Sequence, residues 1–134
     1  MKLKLNLSNE TQMYFLTLAQ RNGTTIENAI EEYLNTEVSD IITLSNGYFY
    51  KKSIKILFND KHEPIEFTNL EQEFFYFLIT QANTIVSHQS ILDNVWAKKE
   101  ASIFTMRNIV KKIRDKSYPS IIKSHSGQGY QISV

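Results

Sequence analysis

Residues 102–116 read SIFTMRNIVKKIRDK, and this stretch carries most of the information on the fold. Ser102 is a favourable residue at the N-cap of a helix. The apolar residues that follow recur at intervals of three and four, as on one face of an α-helix: Met106, Ile109, Val110 and Ile113. The opposite face carries Thr105, Asn108, Lys111, Lys112 and Asp115. We therefore expect an amphipathic helix that ends before Pro119.

This helix lies in a basic block of a chain that is close to neutral overall. The formal net charge is +1, yet residues 98–123 contain eight basic and two acidic residues. Residues 27–40 contain five acidic residues and no basic ones. Localised positive charge indicates an anionic partner, although a solvated lysine-rich helix would have the same composition.

The segments around this helix predict a small domain of sheets and helices. Residues 121–134 suit two strands joined around Gly127-Gln128-Gly129. Upstream, Ser87 can begin a second helix, and Thr68 with Glu71 has the spacing of a capping box that begins a third. Apolar–polar runs at residues 41–44, 48–50, 54–58 and 65–67 predict a short antiparallel sheet, with residues 59–62 as a hairpin connection.

Four motifs follow one another in a fixed order: FTNLE at 67–71, IVSHQSIL with VW at 85–96, VKKIRDK at 110–116 and GQGY at 127–130. Together they resemble the OmpR/PhoB-type winged-helix effector domain of bacterial response regulators, over residues 47–134. The resemblance implies an α+β fold: a winged helix-turn-helix with an N-terminal antiparallel sheet and a C-terminal β-hairpin wing. Residues of about 102–116 would be the recognition helix in the major groove, and about 121–134 the wing on the flanking backbone.

The same resemblance implies which residues meet DNA. Lys111, Lys112, Arg114 and Lys116 supply positioning charge, while Thr105 and Asn108 supply specificity. Trp96 matches a tryptophan that can meet the backbone, with packing in the core as the alternative. The family usually has arginine before the first wing glycine, where Ser126 stands here, so a minor-groove arginine is missing unless Lys123 or His125 substitutes for it. Arg107 replaces an acidic residue that is common early in the recognition helix, so the base preference is expected to differ.

Residues 1–37 predict a strand, a helix, a turn and a second helix. Apolar and polar residues alternate from Lys2 to Leu7, and Ser8 can cap the first helix. Asn22-Gly23 can end that helix, and Thr24 or Thr25 can cap the second. This pattern resembles the ribbon-helix-helix module of the Arc/MetJ/CopG kind. It implies a two-chain ribbon with Lys2, Lys4 and Asn6 in a major groove, and a phosphate at the Thr24–Thr25 helix start.

Two short helices and a single strand cannot bury their apolar faces, which favours a homodimer. Two alternatives stay open: the segment only dimerises the protein, or its strand joins the sheet of the same chain. We thus expect a dimerisation or DNA-binding segment at 1–40 and a winged helix-turn-helix domain at 41–134. Forty residues cannot hold a receiver domain of about 120 residues, so we expect a regulator without one.

The remaining features restrict the class of protein. The chain has no cysteine, which excludes disulfides and zinc–thiolate sites, and His62, His88 and His125 lack metal-ligand spacing. No catalytic triad ordering or P-loop is present, so no enzyme activity, metal or cofactor is expected. No apolar run approaches about 18 residues, which predicts a cytoplasmic protein without a membrane partner.

The sequence therefore predicts a sequence-specific regulator of transcription that binds double-stranded DNA as a homodimer. The alternative is a dimeric protein-interaction module that binds RNA polymerase or another protein, in which the N-terminal segment serves only to dimerise.

Overall fold

The computed structural model describes residues 4–96 and 101–134, and helices and short strands follow one another along this part of the chain. The helices are α1 (Asn9–Asn22), α2 (Ile26–Ser39), α3 (Asn69–Ile79), α4 (His88–Val95) and α5 (Ile103–Lys116). The strands are β1 (Ile41–Thr43), β2 (Phe49–Lys51), β3 (Ile56–Phe58), β4 (Val86–Ser87), β5 (Lys123–His125) and β6 (Gly129–Gln131). The chain divides after Asp40 into two compact units, the N-terminal unit and the C-terminal unit.

Side-chain caps set the limits of both helices in the N-terminal unit. The Ser8 hydroxyl accepts a hydrogen bond from the Thr11 N–H at 3.2 Å, and Thr25 accepts one from the Asn28 N–H at 3.2 Å. Gly23 ends α1 in the left-handed region at φ 64°, a conformation that glycine adopts without a steric penalty. The predicted helix starts and the predicted break at Asn22-Gly23 are therefore confirmed.

The predicted strand before α1 is corrected for the residues that the structure describes. Residues 4–8 form no strand, while Lys2 and Leu3 lie outside the described residues. A strand requires a hydrogen-bonded neighbour, and neither sheet of the described chain includes residues 4–8. The alternative in which this segment joins the sheet of its own chain is thus wrong for residues 4–7. A ribbon formed with a second chain stays a prediction.

The first sheet of the C-terminal unit is antiparallel, in the order β1-β2-β3. Tyr50 at its centre pairs with Ile42 on one side and Leu57 on the other. The strand predicted at residues 65–67 is wrong, because only an isolated bridge joins Phe58 to Pro64. Two backbone bonds flank this bridge, from the Asn59 N–H to the Glu63 carbonyl at 2.9 Å and from the Ile65 N–H to the Leu57 carbonyl at 2.8 Å, and residues 66–67 add no further pairing.

The second sheet is antiparallel, in the order β4-β6-β5, and contains the predicted C-terminal hairpin. Val86 of β4 pairs with Tyr130, and Ser124 of β5 pairs with the same residue from the other side. Strand β4 leads directly into α4, whose N-cap is Ser87 as predicted. The hairpin is therefore bonded to the segment that begins α4.

Helices α3, α4 and α5 pack around one apolar core. The four residues predicted to face inward on α5 are all buried, with Met106 and Ile113 at 0% exposure. Helix α3 contributes Phe74, Phe75 and Leu78, each fully buried. Within the described ranges, no helix combines the length and apolarity that a membrane crossing requires.

Candidate nucleic-acid interface

The face of α5 opposite the core is exposed and mostly basic. Arg107, Asn108, Lys111 and Lys112 are all exposed, while Thr105 is half-buried. The Thr105 N–H donates to the Ser102 hydroxyl at 3.2 Å, and the two hydroxyl oxygens lie 3.3 Å apart. Thr105 is therefore partly committed to capping the helix, and the other four side chains present the free polar surface.

Arg114 connects α5 to the hairpin. Its Nη2 donates to the Ile122 carbonyl at 2.6 Å and to the Ser124 hydroxyl at 3.0 Å, and its Nε donates to the same carbonyl at 3.2 Å. These bonds fix the guanidinium between the helix and β5. Arg114 thus positions the hairpin relative to α5 and is not a freely projecting cation.

Lys116 pairs with a buried carboxylate on α3. Its Nζ lies 2.5 Å from Oε1 of Glu71, a residue that is only 1% exposed. Burial raises the pKa of Glu71, but hydrogen bonds from Lys116 and Thr68 and the charge of Lys116 outweigh burial and lower the pKa below its ordinary value. The Thr68 N–H also donates to Glu71 at 2.8 Å, which completes the predicted capping box. The prediction that Lys116 is a DNA-facing charge is corrected, since its ammonium holds α5 to α3.

Trp96 is a core residue. Its side chain is 7% exposed, and its ring lies 6.1 Å from that of Phe74 in an edge-on arrangement. Of the two alternatives considered for Trp96, packing is the one observed. The predicted backbone contact is corrected, because a buried indole presents almost no surface to a ligand.

The hairpin is held by a close backbone approach and by a side-chain bond. A Cβ added at Gly129 would lie 1.8 Å from the Val86 carbonyl oxygen, so only glycine fits there. Gly127 adopts φ 71°, the left-handed conformation of the turn. His125 Nε2 is 2.8 Å from Oε1 of Gln131 across the hairpin, so this imidazole is engaged. Lys123 is exposed and remains the more accessible cation on β5.

An open cleft of about 390 Å³ lies between α5 and the hairpin. The two arginines of its lining, Arg107 and Arg114, come from α5, while His88 comes from α4. The hairpin side is formed by Ser124, His125, Ser126, Gly127, Gly129 and Tyr130. A concave surface with two guanidinium groups suits an anionic ligand such as a phosphate backbone.

The candidates in the N-terminal unit form a separate group. Lys4 and Asn6 are exposed in the segment before α1. Thr24 is half-buried, and the exposed Thr25 uses its hydroxyl as the cap of α2. Glu27 stands in the first turn of α2 and already offers negative charge to that helix end, which weakens its attraction for a phosphate.

Sequence reasoning missed Phe104 and named Arg107 only as a departure from the family, without assigning it a contact. Phe104 is 70% exposed, and Arg107 lines the cleft. Helical spacing contains the signal, because Phe104 precedes Asn108 by four residues and Lys111 by seven. The basic block also includes Lys98 and Lys99, which lie outside the described residues.

Comparisons with known proteins agree with this geometry. The family described as "Transcriptional regulatory protein, C terminal" matches residues 62–132, which contain α3, α4, α5 and the hairpin. The search of curated proteins gave no match.

Solved structures share the fold. The RstA DNA-binding domain of Klebsiella pneumoniae, solved in complex with the RstA box, has a TM-score of 0.58 and 15% identity over 69% of this chain and 96% of that one. The DNA-binding domain of CpxR from E. coli has a TM-score of 0.56 and 16% identity over 69% and 95%. The Thermotoga maritima response regulator DrrB, an OmpR/PhoB homologue, has a TM-score of 0.61 and 15% identity over 98% of this chain and 55% of that one.

The matched residues cover more than half of the chain, and the described elements have the winged-helix arrangement of these domains. The family is one of transcription regulators, which is not a class of enzymes. The chain therefore belongs to the transcriptional regulatory protein C-terminal family of OmpR/PhoB-type DNA-binding domains, and it is a DNA-binding transcription regulator.

Proposed function

We propose that the chain regulates transcription by binding a specific double-stranded DNA sequence, with α5 in the major groove and the β5–β6 hairpin on the flanking backbone. The observation that carries this proposal is the exposed cationic face of α5, directly beside the cleft that it shares with the hairpin. An α-helix is about 10–12 Å wide and the major groove about 12 Å, so the helix fits. The RstA DNA-binding domain, solved in complex with the RstA box, supports binding to DNA by this fold.

The side chains divide into two roles in this proposal. Lys111 and Lys112 are exposed at the middle of α5 and neutralise phosphates, and Lys123 does so from the hairpin. Asn108 reads a base edge, with adenine as the partner that its amide matches. Thr105 contributes from the margin, since its N–H and hydroxyl are engaged at the cap.

The binding test compares affinities at two salt concentrations for the wild type and for Lys111→Ala with Lys112→Ala. We expect the double variant to bind every sequence more weakly, and the slope of log affinity against log salt to become shallower by about 2. The matched control is Lys52→Ala with Lys61→Ala, which removes the same charge from exposed positions outside α5. Equal affinities of the two double variants at both salt concentrations would contradict the assignment.

Selection of bound fragments from genomic DNA then tests sequence specificity. We expect one recurring motif to be enriched by the purified full chain. Retention of RNA polymerase without enrichment of any DNA motif would instead favour the protein-interaction alternative.

We further propose that the N-terminal unit pairs with a second copy of itself. Its described core consists of Phe15, Ala19 and Ala29, with Leu18, Ile26 and Ile30 packed against it. Its exposed large apolar residues outnumber that core: Leu5, Met13, Tyr14, Leu16, Tyr33, Leu34 and Val38. A symmetric dimer would bury these residues in one self-complementary interface. In that dimer the ribbon contacts by Lys2, Lys4 and Asn6 and the phosphate site at Thr24 and Thr25 stay predictions.

The dimer is tested by measuring the molar mass of the full chain in solution. We expect about twice 15.6 kDa for the wild type, and the monomer mass for Leu34→Glu, which places charge in the exposed apolar face. Glu31→Gln on the same helix is the control, since it removes charge without adding a buried polar group. A monomeric wild type at concentrations of about 0.1 mM would refute the dimer as proposed.

A further inference from the structure

We infer that Phe104 and Arg107 at the N-terminal end of α5 form a base-reading pair, in which Phe104 selects a thymine methyl group and Arg107 selects a guanine. The inference rests on the proposed DNA-binding function and adds two base-reading residues to Asn108. Phe104 and Arg107 lie near the N-terminal end of α5, which would read the bases. Lys111 and Lys112, farther along the helix, would set the overall affinity.

Helical geometry places Phe104 at the centre of the exposed face. Successive residues of an α-helix are separated by about 100° around the helix axis. Phe104 therefore lies on the side of α5 opposite the buried Met106 and Ile109. It lies on the same side as the exposed Asn108 and Lys111. At 70% exposure it is the most exposed large apolar side chain among the described residues. A phenylalanine at this point of a polar face contributes little to the core, so its apolar surface is available to a ligand.

Arg107 is the available guanidinium of the two that line the cleft. Arg114 is held by three hydrogen bonds to Ile122 and Ser124, whereas Arg107 is exposed and makes no hydrogen bond or ion pair seen within residues 4–96 and 101–134. Its side chain lines the cleft beside the hairpin, on the same exposed side of α5 as Asn108 and Lys111. An arginine with free donors can satisfy the two acceptors of guanine, O6 and N7, with a bidentate pair of hydrogen bonds.

The spacing of the two residues matches neighbouring bases. Phe104 and Arg107 are three residues apart, a rise of about 4.5 Å along the helix axis. Successive base pairs are separated by about 3.4 Å, so side chains of this length reach adjacent steps. The recognition helix of a helix-turn-helix contacts base edges with its N-terminal residues. The other end of α5 carries the exposed Asp115, whose charge repels phosphates, so the reading end is the one with Phe104.

The test begins with the preferred sequence of the full-length wild type, obtained by selection from a random DNA library. We expect Arg107→Ala to lose the preference for one guanine, and Phe104→Ala to lose the preference for an adjacent thymine. In each case the ratio of the affinities for the preferred base and for another base should fall by about ten-fold. Lys112→Ala is the matched control. We expect it to weaken binding to all DNA sequences equally and to keep both base preferences. Thermal unfolding of each variant by circular dichroism checks that the fold is retained.

Modified bases test the same contacts without changing the protein. Deoxyuridine in place of the thymine removes only the methyl group, and 7-deazaguanine removes only the N7 acceptor. We expect deoxyuridine to weaken DNA binding by the wild type but not by Phe104→Ala. We expect 7-deazaguanine to weaken DNA binding by the wild type but not by Arg107→Ala.

The outcomes separate this inference from the proposed function. A wild type without any sequence preference refutes the proposed specific binding and the inference together. A wild type with a clear preference that both variants retain refutes the inference alone. Loss of a protein partner by Phe104→Ala, with the thymine preference intact, would overturn the role given to Phe104.

Discussion

The two units of this chain differ in how far their own residues can bury an apolar core. The core of the C-terminal unit comprises 19 buried residues among those described, from both sheets and all three of its helices. The N-terminal unit buries three residues and exposes seven large apolar ones. Small domains bury a lower fraction of their surface, and about 40 residues is near the limit for independent folding. The C-terminal unit therefore has a large core of its own, whereas we expect the N-terminal unit to bury its exposed apolar residues against a further surface.

Separating the units should give the largest effect. We expect a fragment of residues 41–134 to unfold cooperatively and independently of concentration, because its core is complete. A peptide of residues 1–40 should be largely unfolded at micromolar concentration and gain helix as concentration rises, as the proposed pairing with a second copy requires. Circular dichroism over a concentration series measures both. A helical content of the peptide that is high and constant across the series would show that the N-terminal unit folds without a second copy.

Gly129→Ala tests how tightly the C-terminal unit is packed. Its Cβ would lie 1.8 Å from the Val86 carbonyl oxygen, so β4 and β6 must separate. We expect a loss of about 3 kcal/mol in the free energy of unfolding, measured with urea. Gly127→Ala is the control, because it is the same substitution at φ 71°, where the added Cβ would meet no atom within 4 Å. We expect it to lower the free energy of unfolding by about 1 kcal/mol. Similar losses for the two variants would argue that β4 does not constrain the hairpin.

Lys116→Met tests the polar link inside the same unit. The variant leaves the Glu71 carboxylate buried without its cation, and we expect a loss of about 2 kcal/mol at pH 7, since Lys116 is partly exposed. Because the folded-state pKa of Glu71 is lowered, its stabilisation is present above the ordinary value of 4.5 and is lost as pH falls through the folded-state pKa.

Urea unfolding between pH 3 and pH 7 measures this linkage. We expect the wild type to lose stability on acidification, and Lys116→Met to lose less, because protonation of an unpaired buried carboxyl is favourable. Glu71→Gln with Lys116→Met removes the charge as well and serves as the control. A variant with the pH dependence of the wild type would show that the pair does not set this pKa.

Thr25→Ala should give the smallest loss of stability, and this loss should be limited to the N-terminal unit. The hydroxyl of Thr25 accepts the Asn28 N–H at the start of α2, and loss of such a cap costs about 1 kcal/mol. Hydrogen exchange should accelerate in α2 and remain unchanged in α3 to α5, since those helices belong to the other compact unit. Faster exchange throughout α5 would indicate that the units do not unfold independently.

Local patterns predicted much of the fold and part of the site. Ser8, Thr25, Thr68, Ser87 and Ser102 all cap the helices that the sequence assigned to them, because a cap depends on residues within one turn. The inward face of α5 was equally predictable, since helical spacing alone sorts its residues into two faces. The exposed positions of Asn108, Lys111 and Lys112 follow from the same spacing.

The errors arose where distant parts of the chain meet. Residues 4–7 have the alternation of a strand, yet a strand exists only where a neighbour completes its ladder. For Trp96 the sequence left a backbone contact and core packing as alternatives, and the choice depends on a distant residue, because its ring packs against Phe74 of α3.

The amino-acid sequence by itself determined the helix limits, the buried stripe of α5 and the glycine turn of the hairpin, because each depends on neighbours a few residues away. Contacts between distant segments instead determine which basic side chains of α5 are engaged within the chain. Arg114 and Lys116 belong to the same basic run as Lys111 and Lys112, but Ile122 and the buried Glu71 engage them. The physical reason is that a long side chain bonds to whatever acceptor the fold brings within reach, and Glu71 lies 45 residues before Lys116.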